Sequence, residues 1–278
     1  MQTYDDRLTF LLPRPTWVND VDVSCCHSCF NAFGPLRRRH HCRNCGNIFC
    51  QDCSSRSVPL PQLGYGTRPV RVCNNCFEIA YLVTYTIDQD HGVSTQIHGV
   101  RGLLELAEKD DEKYLHNMVV HGSVDALIWV CRTSKNITLH HLTTTVLAIL
   151  AQKESVRPVI ITKWALPAIL SLIRTYEQMN NEKETTPSFD SRSSQESSEN
   201  MLTLEIMVNS TDVLYELSKA RILSKKDIIE EGVLEILLSL AAIDNKGEIE
   251  RVNMIRTLAA KAISAISAQT PLQSSIIG

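Results

Sequence analysis

Cysteines at a repeated spacing are the residues of this sequence most suited to chemistry. Eight of the ten cysteines form four C-x2-C pairs: Cys26/Cys29, Cys42/Cys45, Cys50/Cys53 and Cys73/Cys76. Each pair can clamp one edge of a tetrahedral zinc ion, at about 2.3 Å per sulfur. A site closed by four thiolates has no open position for a substrate, so the spacing predicts two structural Zn2+ ions. Spacing alone leaves open which pairs share an ion.

The remaining cysteines and the N-terminus bear on the cellular compartment. Cys25 adjoins a ligand and could compete with it, whereas Cys131 lies in an apolar segment and is expected in a core. Asp5 and Asp6 stand where a signal peptide needs positive charge, and no apolar run is long enough for a membrane span. We therefore expect a cytoplasmic, at most peripheral, protein, in which clustered cysteines favour metal over disulfides.

Arginines surround the cysteine pairs. Residues 1–80 hold nine arginines and no lysine against six acidic residues, whereas the rest of the chain has an acidic excess. Guanidinium groups bind phosphate through paired, charge-assisted hydrogen bonds. In an extended segment alternate residues face the same way, so Arg38 and His40 should share one face and Arg39, His41 and Arg43 the other. The run predicts a phosphate site, with a nuclear-localisation or nucleic-acid patch as the alternative.

Together these motifs resemble the FYVE zinc finger family over about 70 residues. The family's WxxD, R(R/K)HHCR and RVC motifs correspond to residues 17–20, 38–43 and 71–73, and CGNIFC at 45–50 is also similar. The resemblance implies binding of phosphatidylinositol 3-phosphate on endosomal membranes. It also implies a cross-brace, with Cys26, Cys29, Cys50 and Cys53 on one zinc ion and Cys42, Cys45, Cys73 and Cys76 on the other.

The same resemblance implies the lipid contacts. In the family, the arginines of the two basic motifs contact the phosphate, while the second histidine and the WxxD aspartate contact inositol hydroxyls. The candidate headgroup-binding residues here are Asp20, Arg38, Arg39, His40, His41, Arg43 and Arg71; His40 has a purely structural role as its alternative. Asp20 would repel nucleic-acid phosphates, which favours the lipid, and we expect no nucleic-acid partner.

The family also inserts a loop tip into the bilayer. That tip corresponds here to Pro35 and Leu36, but Arg37 replaces one of the large apolar residues that other members carry. We therefore expect modest affinity from one finger and a need for avidity, from a protein partner or a homodimer.

The rest of the chain has the periodicity of helices. A closing helix is predicted at 74–87, and further helices are predicted near 94–109, 111–120, 123–132, 138–152, 156–161, 165–178, 200–220, 225–230, 232–242 and 248–268. The Ser-rich, charged stretch at about 180–200 predicts a disordered insert.

An internal repeat runs through this helical part. The segments 119–130, 160–172 and 228–240 each contain a short helix, a break and a longer apolar helix, and Gly122 aligns with Trp164 and Gly232. The first spacing of about 42 residues is typical of armadillo and HEAT repeats, which this part resembles; a generic helical bundle is the alternative. The resemblance implies a solenoid whose groove binds a protein partner.

The predicted fold is thus a small zinc-stabilised α+β finger followed by an all-α armadillo/HEAT-like solenoid. The predicted bounds are an N-terminal segment at 1–14, a finger at 15–85 and a helical repeat domain at 86–278. The predicted function is a non-enzymatic adaptor in membrane trafficking or signalling, on the cytosolic face of endosomes or of the vacuole or lysosome. The alternative is a RING-like ubiquitin ligase module, although RING fingers usually include a histidine ligand. No GxxxxGK[ST], GxSxG or HExxH motif occurs.

Overall fold

The structure, a computed structural model, describes residues 10–185, 194–244 and 248–268. It divides into two compact units, Met1–Trp129 and Val130–Gly278. The described strands are β1 His40–His41, β2 Ile48–Phe49, β3 Arg56–Val58 and β4 Val70–Val72. The described helices are α1 Asn74–Thr86, α2 Val93–Glu108, α3 Glu112–Val120, α4 Ser123–Thr133, α5 Ile137–Ala151, α6 Arg157–Thr162, α7 Ala165–Thr185, α8 Ser194–Lys219, α9 Lys225–Ile229, α10 Val233–Ala241 and α11 Ile249–Ser267.

The first unit begins with two small antiparallel sheets. Strand β1 pairs with β2, with His40 opposite Phe49, and β3 pairs with β4, with Ser57 opposite Arg71. The core between them holds few apolar side chains, chiefly Phe49, Leu60 and Val72, mixed with cysteines. A core this small rarely stabilises a fold by itself, so these strands need the sulfur clusters described below.

Helices α1 and α2 continue the same unit. Gly99 and Gly102 lie where α2 meets α1: a Cβ added at Gly99 would lie 2.5 Å from the Thr86 nitrogen, and one at Gly102 would lie 2.2 Å from Leu82 Cδ2. Only glycine permits the close approach at Gly99, where the neighbour is backbone, whereas a side chain at Gly102 would require Leu82 to shift. The compact unit therefore extends beyond residue 85, and the bounds 1–14, 15–85 and 86–278 remain predictions.

Helices are the only regular secondary structure among the described residues of the second unit. Helix α8 packs against α5, α7 and α11, and its buried side chains include Leu204, Met207, Leu214 and Leu217. The helix positions agree with the sequence prediction, except that α7 and α8 extend into the predicted insert. Within 180–200, residues 180–185 and 194–200 are helical, and 186–193 lie outside the described residues. None of the described helices is long and apolar enough to cross a bilayer.

The three aligned break positions share one backbone conformation. Gly122, Trp164 and Gly232 have φ of +84°, +61° and +85°. Glycine adopts this left-handed conformation freely, whereas tryptophan does so at a steric cost. The break in each repeat is thus a tight left-handed turn between helices, while the armadillo-like solenoid itself stays a prediction.

Candidate zinc centres and phosphate site

The paired cysteines form two clusters. Cys26, Cys29, Cys50 and Cys53 form the first, and Cys42, Cys45, Cys73 and Cys76 form the second; within each, the four Sγ atoms lie within 4.8 Å of one another. The first and third pairs therefore share one site, and the second and fourth share the other. This is the cross-brace that the resemblance implied.

The sulfur geometry fits zinc. Four Zn–S bonds of about 2.3 Å in a tetrahedron give S–S edges of about 3.8 Å. The Sγ atoms of Cys29 and Cys50 lie 3.8 Å apart. The all-sulfur donor set is also the one that zinc prefers in structural sites. The prediction of two structural zinc ions is confirmed.

Hydrogen-bond donors surround these sulfurs. The Cys50 backbone nitrogen donates to Cys26 Sγ at 3.3 Å, and the Asn31 side-chain amide donates to Cys29 Sγ at 3.4 Å. Burial raises the pKa of Cys26, but hydrogen bonds from the backbone of Cys29, Cys50 and Ser28 outweigh it and lower the pKa to about 6. These donors favour the thiolate form of Cys26, the form that binds metal, whereas burial raises the pKa of Cys53 in the same cluster to about 12.

One face of the basic run contacts the N-terminal segment. The Arg39 guanidinium donates to the Val23 carbonyl at 2.9 and 3.2 Å. His41 stacks on Trp17, with ring centroids 4.6 Å apart, and its Nε2 lies 2.8 Å from the Val18 carbonyl. The next residue on this face, Arg43, lies over the same tryptophan ring at 5.3 Å. Arg39, His41 and Arg43 therefore share a face, as alternation in a strand requires.

Asp20 lies beside this face. Its carboxylate is 3.8 Å from His41 Nε2, in a side chain that is well exposed. The structure thus places together the aspartate and the histidine that were predicted to contact inositol hydroxyls, although their contacts with lipid remain a prediction.

The other face brings His40 towards Arg71. The Arg71 guanidinium donates to the Ser54 carbonyl at 2.7 Å and to Gln51 Oε1 at 2.9 Å. Burial, followed by the positive charges of Arg71 and Arg43, lowers the pKa of His40. Arg38 is exposed, and within the described part of the chain no hydrogen bond or ion pair engages its guanidinium. The charges of Arg71 and Arg43 therefore act on His40, although the Arg43 guanidinium lies over Trp17.

The loop tip is fully open to solvent. Gly34 and Arg37 exchange two backbone hydrogen bonds of 3.1 Å, which closes a tight turn with Pro35 and Leu36 at its end. Leu36 is 102% exposed. An apolar side chain on such a turn has no intramolecular partner to offset its contact with water.

Sequence reasoning missed the contact that holds the N-terminal segment. Gly46 has φ of +76°, and a Cβ there would lie 2.3 Å from the Thr16 carbonyl oxygen. Its own carbonyl accepts from the Val18 nitrogen at 3.1 Å. The sequence signal that could have indicated this contact is the position of the glycine directly after Cys45, because a turn next to a metal ligand often needs a residue with positive φ.

Comparison with known families supports this geometry. The model of the FYVE zinc finger matches residues 16–81. That segment is therefore a FYVE zinc finger, whereas the armadillo-like repeats have no corresponding family support.

Two known proteins are similar to a part of this chain. The chain is 56% identical over 71 residues to "Lateral signaling target protein 2 homolog" of Brugia malayi, covering 24% of this chain and 11% of that protein. It is 42% identical over 92 residues to "Vacuolar protein sorting-associated protein 27" of Eremothecium gossypii, covering 33% and 14%. The chain thus spans only 11% and 14% of the length of these relatives.

A solved structure is also similar to the finger. The crystal structure of the VHS and FYVE tandem domains of HRS, described as a protein involved in membrane trafficking and signal transduction, is 42% identical. The match covers 23% of this chain and 28% of that chain, with a TM-score of 0.22.

Proposed function

We propose, on the premise that residues 16–81 form a FYVE zinc finger, that this chain binds phosphatidylinositol 3-phosphate at the cytosolic face of endosomal or vacuolar membranes. The observation that carries the proposal is the set of three guanidinium groups on and beside the short strands: Arg39 and Arg43 flank β1, and Arg71 lies in β4. The names of the relatives, which include a vacuolar sorting protein, support a role in trafficking. The chain would act there as a non-enzymatic adaptor.

The headgroup would replace weaker contacts that the arginines now make. Arg39 and Arg71 donate to neutral carbonyl oxygens. A phosphate dianion accepts the same hydrogens with full charge, which roughly doubles the strength of each bond. Asp20 and His41 would accept and donate to inositol hydroxyls, and Arg38 would add an unengaged cation.

Leu36 would enter the bilayer beside the bound headgroup. Burying one leucine contributes about 1.5–3 kcal/mol, and each nearby arginine adds about 1 kcal/mol at an anionic surface. Pro35 adds little apolar area. Binding through one finger would therefore be modest, and a partner or a second copy would strengthen it by avidity.

The second unit would recruit a protein partner. A groove of about 620 Å³ runs along α8 and α11, with Asp212, Glu250, Asn253, Met254 and Lys261 among its lining residues. Two carboxylates against one lysine, together with an amide and an apolar side chain, suit a peptide segment with basic residues. Glu250→Lys should weaken the complex with such a partner and leave liposome binding unchanged. Loss of both activities would contradict a groove that acts independently of the lipid site.

Liposome co-sedimentation of the full chain with the seven phosphoinositides tests the lipid proposal. We expect selective binding to phosphatidylinositol 3-phosphate. Arg39→Ala and Arg71→Ala should each weaken it about 10- to 100-fold, because a hydrogen bond to a charged group contributes about 1.5–3 kcal/mol.

Two control variants distinguish specific recognition of the headgroup from binding that depends only on positive charge or exposed apolar area. Arg68→Ala removes one exposed positive charge of the finger outside the motifs and should change binding little. Leu36→Ser should weaken vesicle binding, whereas Phe30→Asn, at an exposed position with φ of +59°, should not. A zinc-loaded protein that ignored the lipid in every vesicle composition would overturn the proposal.

A further inference from the structure

A histidine well beyond the matched finger contacts the second cysteine cluster. His121 follows α3, and its Nε2 lies 3.4 Å from Cys76 Sγ. The ring is half-buried. It does not belong to the group of four sulfurs, which Cys42, Cys45, Cys73 and Cys76 complete by themselves. This contact lies within the first compact unit.

A glycine permits the contact. Gly122 has φ of +84°, and a Cβ there would lie 2.3 Å from Leu12 Cδ1. Leu12 packs against the core of the finger, and its backbone nitrogen donates to the Gln62 carbonyl at 2.7 Å. A side chain at residue 122 would be strained at this φ and would require Leu12 to shift, so glycine favours the approach of the turn between α3 and α4 that brings His121 to Cys76.

The chemistry of the pair follows from charge. Four thiolates on one Zn2+ leave a net negative centre, and donors that hydrogen-bond to the sulfurs stabilise it. Asn47 Nδ2 lies 3.7 Å from Cys45 Sγ, a longer contact than that of His121. An imidazole donates through Nε2 when that nitrogen carries the proton.

We infer that His121 is a positioning residue of the second zinc site, donating its Nε2–H to the Cys76 thiolate and slowing loss of the metal. The turn that carries it thereby becomes part of the zinc site, although it lies outside the region that defines the finger. Because Cys42 and Cys73 flank Arg43 and Arg71 in sequence, zinc retention at this site also maintains the basic face.

Zinc release from the full chain to a chromogenic chelator tests the inference without any lipid, so its failure is distinguishable from failure of the lipid proposal. His121→Phe keeps a ring but removes the donor, and one of the two zinc ions should be lost about 10- to 100-fold more readily. His121→Gln restores an amide N–H at similar reach and should return release to near that of the natural chain. His116→Phe, at an exposed position of α3, the helix that precedes His121, is the matched control.

Cobalt substitution distinguishes a hydrogen bond from simple packing. Loss of the N–H donor makes the thiolate more electron-rich, so the thiolate-to-cobalt charge-transfer band should move to lower energy in His121→Phe and return in His121→Gln. Wild-type release and an unshifted band in His121→Phe would overturn the inference, as would a His121→Gln protein that behaves like the phenylalanine variant. If His121→Phe does not fold, His121→Asn replaces it, because the shorter amide cannot reach Cys76.

Discussion

The finger and the second unit are stabilised by different interactions. In the finger, few apolar side chains are buried and two sulfur clusters tie the strands together. In the second unit, α8 buries Leu204, Leu214 and Leu217 against neighbouring helices. The difference teaches that backbone position in the finger depends on ligand bonds, whereas in the helices it depends on apolar packing. Each region should therefore fail under a different perturbation.

Removal of zinc should give the largest effect, and only in the finger. A strong chelator should expose the paired cysteines to alkylation and abolish lipid binding, because the ligand bonds supply the folding free energy of small zinc modules. Cys131 is the internal control, since burial raises the pKa of its thiol to about 12. Mass spectrometry after timed alkylation measures the reactivity of the paired cysteines and of Cys131. Equal reactivity of Cys131 and the paired cysteines would erase the distinction between the regions.

Truncation of an apolar side chain should reverse the pattern. Leu214→Ala should lower the free energy of unfolding of the second unit by about 2–5 kcal/mol, because Leu214 is fully buried. Urea unfolding followed by circular dichroism measures the change. Leu238→Ala, at an exposed position of α10, should change it little. Zinc content and lipid binding should stay as they are, and a loss of zinc in Leu214→Ala would show that the regions are coupled.

Two glycines sharpen the comparison within the finger. Gly46→Ala should weaken lipid binding, because its Cβ would collide with the Thr16 carbonyl and displace the segment that carries Trp17. Gly66 also has positive φ, +71°, but open space around it. Gly66→Ala should therefore cost only about 1–2 kcal/mol of backbone strain and leave lipid affinity unchanged. Similar losses of affinity in the two variants would show that strain, and not the contact with Thr16, is responsible.

The smallest expected effect is a pH dependence of the second unit. His140 is buried, with Nδ1 2.7 Å from the Tyr176 hydroxyl and Nε2 3.0 Å from the Ser134 carbonyl. Burial lowers the pKa of His140, and also that of His141. The unfolded chain therefore takes up protons first as pH falls below about 6.5, so the free energy of unfolding should decrease on acidification.

Urea unfolding at pH 7.5 and pH 5.5 measures this slope. His140→Gln should flatten it, because glutamine does not titrate in this range. A slope that is unchanged in this variant would assign the pH dependence to His141 or to other groups.

Much of the fold and of the site was predictable from local pattern. Helical periodicity located the helices to within a few residues, except at the ends of α7 and α8, where polar composition suggested disorder but helix continues. Polar composition predicts poor burial, yet one end of a helix can extend into solvent when the rest of the helix is packed against neighbours. The armadillo-like repeats illustrate the same limit, since periodicity identifies the helices but not how they stack.

By itself the sequence determined the metal chemistry, because C-x2-C spacing selects zinc through residue type and short separation; on the same basis the clustered arginines predict an anion site. Only the tertiary structure decided the partners of these groups: which pairs of cysteines share a cluster, Arg39 on the Val23 carbonyl, and His121 on Cys76. Those contacts join residues far apart in sequence, so only a folded backbone brings them together.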